Sequence, residues 1–190
     1  MENASKALIM AASVLLGVMI LSIGAYLFYA YSSYSAEAYQ KMENNQITEF
    51  NAQFLIYYGN TNRTYVDENG QVQEVEGPIL CTIHNIMSLA NLASKNNIQY
   101  ELDNQSGYDE NTYYIQIDIG TNQRTKNIEK WSNDQKIQYI QANSTKIQNK
   151  VDENGRPKQE TVVKNYICTD AIISDVTKRI CYMRFVEYEE

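Results

Sequence analysis

From Ala7 to Tyr31 the chain reads ALIMAASVLLGVMILSIGAYLFYAY, without one charged side chain. No other stretch constrains the fold as strongly. At about 1.5 Å of rise per residue, a helix of this run is long enough to cross the roughly 30 Å hydrocarbon core of a bilayer. A helix that is apolar on every side does not lie on the surface of a water-soluble domain; it sits in lipid or in a bundle of similar helices. A secretory signal has a shorter apolar region of about 7–15 residues ending in a small-residue cleavage site. Here the run goes on into Tyr26, Tyr29, Tyr31 and Tyr34, whose rings suit the membrane–water boundary. The expectation is a retained span. Lys6, offset by Glu2, flanks it on one side, and Glu37, Lys41 and Glu43 on the other. The short N-terminal side is the easier one to leave in the cytoplasm, so the C-terminal chain is expected outside the cell.

Ser13, Gly17 and Gly24 recur close to one face of this helix. Small residues so placed let a second helix approach closely in lipid, although Gly and Ser are also common in membrane helices without that role. Beyond Tyr31 the helical pattern continues with no Pro or Gly: Tyr34, Ala38 and Met42, then Ile47, Phe50, Phe54 and Tyr57 return every three to four residues. Asn44-Asn45 weakens the pattern, and Gly59-Asn60 is its natural stop. The chain thus divides into a short N-terminus (1–6), an apolar helix (7–31), an amphipathic continuation (32–58) and a polar remainder (60–190). That remainder matches one ordinary domain.

Within it, Arg63 to Val75 reads as two strands around Asp67-Glu68-Asn69-Gly70, where Asn-Gly supplies the positive torsions of a hairpin turn. Ile79 to Asn97 returns to helical spacing. Gln99 to Leu102 suggests a short strand, and Tyr113 to Ile119 alternates cleanly as another. Ile137 to Ala142 and Thr145 to Val151 are strand or short helix, and Asp152-Glu153-Asn154-Gly155 is a second turn. The sequence Val-Asp-Glu-Asn-Gly therefore occurs twice, with flanks that do not match, which is reuse of turn chemistry and not a duplicated unit. Val162 to Tyr188 reads as a C-terminal hairpin. The fold class expected is α+β: a long N-terminal helix, transmembrane and then amphipathic, followed by a small antiparallel-sheet domain with one or two short helices.

A net charge of −7 and a pI near 4.8 argue against nucleic acid, whose phosphates call for clustered Lys and Arg. Cys81, Cys168 and Cys181 lack the close spacings of a zinc site, and His84, the single histidine, cannot complete one. No metal or other cofactor is expected. Cys168 and Cys181 share the C-terminal hairpin and are the candidate disulfide, with the connectivity left open. Neither acidic turn has the ligand spacing of a calcium loop. No nucleophile–base pair, phosphate-cradling glycine loop or paired-carboxylate motif stands out, so an enzyme is not expected.

The order of parts carries a resemblance: a short N-terminus, an apolar helix, its amphipathic continuation, and a small α+β domain ending in a hairpin with two cysteines. This layout resembles the type IV pilins and pseudopilins, including the short-leader forms of Gram-positive bacteria. The segments ITEFNAQFLIYYG and IHNIMSLANLASKNN are similar to stretches of pilin-like proteins of gut Firmicutes. The resemblance implies a structural subunit of a pilus, pseudopilus or related secretion or DNA-transfer filament, exposed at the cell surface and partnered by the membrane and by copies of itself through residues 7–31. It also implies an assembly set of Glu2, Ser13, Gly17 and Gly24, with Glu2 placed to neutralise a neighbour's N-terminal amine. The chain departs from the family pattern in lacking a basic leader that ends in Gly or Ala and a Glu at the fifth mature position; Lys6 and Glu2 are the only charges before the apolar run. The rival reading is a single-pass anchor displaying an adhesin-like or ligand-binding domain.

Overall fold

The computed structural model describes residues 2–67, 69–121, 124–151 and 156–189. Its first element, α1 (Glu2–Leu55), is one helix of 54 residues, about 80 Å at the standard rise. Asn44-Asn45 does not interrupt it. It ends three residues before the expected stop, because Tyr57 and Tyr58 donate backbone bonds to Phe54 and Leu55, a tightened last turn. Gly59, at φ +112°, then redirects the chain. The first 48 residues form one compact unit and residues 49–190 a second.

In the first unit most apolar side chains stand exposed, Tyr34 and Met42 among them, while Ala30, Ala38 and Ile47 are half-buried. In the second unit, here called the head, the end of α1 supplies Phe54, fully buried, and Phe50, packed against the same core. Asn51 closes this seat. Its side-chain amide donates to Lys178 O at 2.8 Å and accepts from Ile180 N–H at 2.8 Å, so it pairs with the chain there much as a neighbouring strand would.

The head contains β1 (Asn60–Val66), β2 (Val72–Pro78), α2 (Ile83–Gln99), β3 (Gln116–Ile119), β4 (Lys126–Asn127), α3 (Asn133–Asn143), β5 (Thr145–Val151), β6 (Pro157–Val163), β7 (Asn165–Ile173) and β8 (Ile180–Tyr188). The antiparallel domain expected from sequence is in fact mixed. Its four-stranded sheet runs β4-β3-β8-β7, with β3 parallel to β8 and the other pairings antiparallel. The hairpins β1–β2 and β5–β6 are separate two-stranded sheets. The C-terminal hairpin β7–β8 takes the expected position, at one side of the four-stranded sheet. The second Val-Asp-Glu-Asn-Gly turn falls mostly outside the described residues.

Helix α2 starts four residues later than its periodicity suggests, since Ile79 to Cys81 remain extended. Ile79 N–H bonds Gly59 O, and Cys81 exchanges two backbone bonds with Tyr166. Thr82 then caps α2 in a capping box with Asn85. Six apolar side chains of α2, Ile83, Ile86, Met87, Leu89, Ala90 and Ala93, enter the core beside Ile117, Ile119, Met183 and Phe185. Gln99 belongs to α2, and the short strand expected at Gln99–Leu102 is a turn in which Glu101 takes φ +57°.

Tyr113 to Ile115, expected to be strand, is held by side chains instead. Asn97 donates to Ile115 O and accepts from Ile115 N–H, both at 2.8 Å, while Asn96 donates to Tyr113 O at 2.6 Å. These amides satisfy buried backbone groups that lack a strand partner. The ambiguous stretch 137–142 is helical. Ser132 and Gln135 form its capping box.

Candidate assembly surface

The apolar window of α1 is long and hydropathic enough to cross a membrane, and none of it is buried in the molecule. Leu15, Leu16, Ile20, Leu21, Leu27 and Phe28 are each more than half exposed. Leaving a side chain of this size in water forgoes about 1.5–3 kcal/mol relative to burial. The helix therefore presents a large apolar surface.

At about 100° per residue, Gly17 and Gly24 fall within roughly 40° of Ser13 around the axis. A Cβ added at either glycine would meet nothing within 4 Å. Both positions are open notches. The Ser13 hydroxyl donates to Met10 O at 2.8 Å, which satisfies it within its own helix and leaves its small volume on the same face. Glu2 and Lys6 lie on this face too, and pair at 2.9 Å as exposed i,i+4 partners. The carboxylate that the resemblance assigns to a neighbour's amine is thus met by Lys6 in the single chain.

The thiols of Cys81, Cys168 and Cys181 are all free. The structure does not join Cys168 to Cys181: the β7–β8 register sets Cys168 opposite Phe185, and Cys181 donates to Ile172 O. Cys168 packs against the main core with Cys81 as a neighbour, whereas Cys181 lies near Asp109 and Glu110. Burial pushes Cys81 and Cys168 up to about 12 and Cys181 to about 11, so at neutral pH they are protonated, inert thiols. His84 is exposed on α2. Among the described residues no cluster of three or more His, Cys, Asp or Glu side chains is placed to hold a metal ion.

One polar group stands out inside the head. Glu129, 2% exposed, accepts from Tyr114 Oη at 2.7 Å and from Ile117 N–H at 3.0 Å. Burial raises its pKa, against the pull of these hydrogen bonds, and burial with the adjoining carboxylate raises that of Tyr114. Lys136, also buried, donates to Asn91 Oδ1 at 2.8 Å; desolvation lowers its pKa while the charge of Glu129 works the other way. Glu129 ties β3 to the turn that follows β4.

No family model, curated protein or solved structure matches this chain. Sequence reasoning located the exposed helix and its small-residue face, but it passed over Asn51, Asn97 and Glu129. Nothing local marks them. The chain is rich in Asn, and only the fold distinguishes an amide that bonds buried backbone from one facing water. The Glu129 signal was faint: an acid directly after Ile128 and two residues before Trp131.

Proposed function

We propose that the chain is a non-enzymatic structural subunit, held in a membrane by residues 7–31 with its head outside the cell, that assembles side by side with copies of itself or with similar subunits. A pilus, pseudopilus or related secretion or DNA-transfer filament is the form of assembly that the layout supports. The observation that carries the reading is the exposed apolar window of α1, which continues without a break into a segment seated in the folded head. An anchor alone needs only the window. A packing helix also benefits from the notch formed by Ser13, Gly17 and Gly24, because close backbone approach maximises dispersion contacts where lipid supplies no hydrophobic drive.

The test fills the notch. The triple substitution Ser13→Leu, Gly17→Leu, Gly24→Leu keeps the helix apolar and long enough to insert. Crosslinking of membranes followed by gel analysis should show oligomers for the native chain and at least a tenfold loss for the variant, with membrane retention unchanged. Oligomers of equal yield in the variant, or monomers alone for the native chain, would leave the helix as an anchor and favour a displayed binding domain.

A further inference from the structure

The hairpins β1–β2 and β5–β6 match in build. Each has two seven-residue strands in full antiparallel register, Asn60↔Pro78 to Val66↔Val72 in one and Thr145↔Val163 to Val151↔Pro157 in the other. They also leave the head at one place, because Cys81 and Tyr166, each a few residues beyond its hairpin, are bonded to each other. Both are largely exposed, including Val66, Val72, Ile147 and Val163. Two-stranded sheets of this kind are marginal in water by themselves and present unpaired edges.

Their charges differ in sign. Side chains alternate across a strand, so Glu74 and Glu76 share one face of β1–β2. Arg63 pairs with Val75 on the other face, where its guanidinium is engaged by Pro78 O and lies over the Tyr188 ring at 5.8 Å. Glu76 accepts from Asn60 at 3.1 Å, and neither acid has an ion-pair partner among the described residues. On β5–β6 the same alternation collects Lys146, Lys150, Lys158 and Glu160 on a single face. Lys150 and Lys158 stand directly opposite each other, a like-charge pair that weakens a sheet. Glu160 answers Lys150 at 2.9 Å; among the described residues Lys146 and Lys158 have no carboxylate within ion-pair distance.

We propose that the lysine face of β5–β6 receives the Glu74–Glu76 face of β1–β2 from a second copy of this chain. The two faces are alike in length and opposite in charge, so each copy carries both halves of the contact and can engage neighbours on two sides. Contacts between different patches of successive copies build open filaments wherever the rotation between copies does not close into a ring. The contact rests on the assembly reading above for the presence of a second copy, and it adds the surface through which heads recognise one another.

The experiment mixes isotopically heavy and light full-length chains in detergent micelles and in vesicles. A carbodiimide, which joins a carboxylate to an amine in direct contact, is followed by mass spectrometry. Heavy–light peptides joining Glu74 or Glu76 to Lys146 or Lys158 are expected, falling several-fold at 0.5 M salt and lost in the double substitution Glu74→Gln, Glu76→Gln. A chain with Glu74→Lys and Glu76→Lys should link through that hairpin only to a chain with Lys146→Glu and Lys158→Glu. Links confined to a single chain, or a lysine face that binds anionic vesicles instead of heads, would overturn the contact. A thiol crosslink through a cysteine at position 24, read in the same samples, separates the two ideas. Helix crosslinks without hairpin links sink this contact alone, and hairpin links without helix crosslinks sink the helix packing and leave the contact standing.

Discussion

Helices α1 and α2 are both rich in aliphatic side chains, and they dispose of them in opposite ways. In α2 the apolar residues keep to one stripe, the N-terminus is capped by Thr82, and the stripe disappears into a core built by the same chain. In the apolar run of α1 the side chains point in every direction and none of the apolar window is buried. The stability of α2 is a property of the folded monomer. That of α1 between residues 7 and 31 depends on what surrounds it, since intrahelical hydrogen bonds satisfy the backbone in lipid but nothing in the chain removes the side chains from water.

The contrast is broken most severely by truncating a buried residue of α2 and an exposed residue of α1. Ile86→Ala should destabilise the head by about 2–5 kcal/mol, the transfer loss plus a cavity, in chemical denaturation followed by head fluorescence. Leu16→Ala, on the exposed run of α1, should change the same measurement by less than about 0.5 kcal/mol. Equal effects would mean that the run is packed on its own head.

A comparable loss is expected at Asn97. Asn97→Ala removes both hydrogen bonds to Ile115 and strands its N–H and C=O in the interior, at about 1–3 kcal/mol for each group left without a partner. Asn97→Asp, which keeps an acceptor for the N–H but faces the carbonyl with a second oxygen, should fall between the two in the same denaturation assay.

Glu129 gives the smallest effect and the most specific one. Its pKa in the folded head lies above the ordinary 4.5, so the folded state binds more protons than the unfolded one as pH rises past that value. Stability from this group is complete below about 4.5 and declines until pH passes the raised folded value. Denaturation across this range should show the decline in the native chain, and Glu129→Gln, which like the protonated carboxyl offers one acceptor for Ile117 N–H and one donor toward Tyr114 Oη, should flatten it while leaving stability at acidic pH nearly unchanged. An unchanged slope would mean that the carboxyl is not the titrating group.

How much of this was readable in the sequence follows from how local each signal is. The long N-terminal helix, the first hairpin, α2 and the C-terminal hairpin rest on periodicity and turn residues, which act over a few positions, and each appears close to its expected place. The parallel pairing of β3 with β8 brings Gln116 beside Tyr182 across more than sixty residues of chain, and no local pattern encodes it. Tyr113 to Ile115 alternates like a strand, yet side-chain amides and not a neighbouring strand satisfy it. The amphipathic stripe beyond Tyr31 was legible as a helix, but at Tyr34 and Met42 it remains exposed. The small-residue face could be named from spacing alone; that it is open follows from the structure.

Residues 7–31 are proposed to pack against copies of themselves through one face. Single cysteines placed in turn at each position from 7 to 31 test it, since the native thiols are largely buried, with pKa values of about 11 to 12, and compete little. After oxidation in native membranes, disulfide-linked dimers should peak at 13, 17 and 24 and fall on the opposite side of the helix, with a period near 3.6 residues. Uniformly monomeric chains, or a yield that does not vary around the helix, would contradict it.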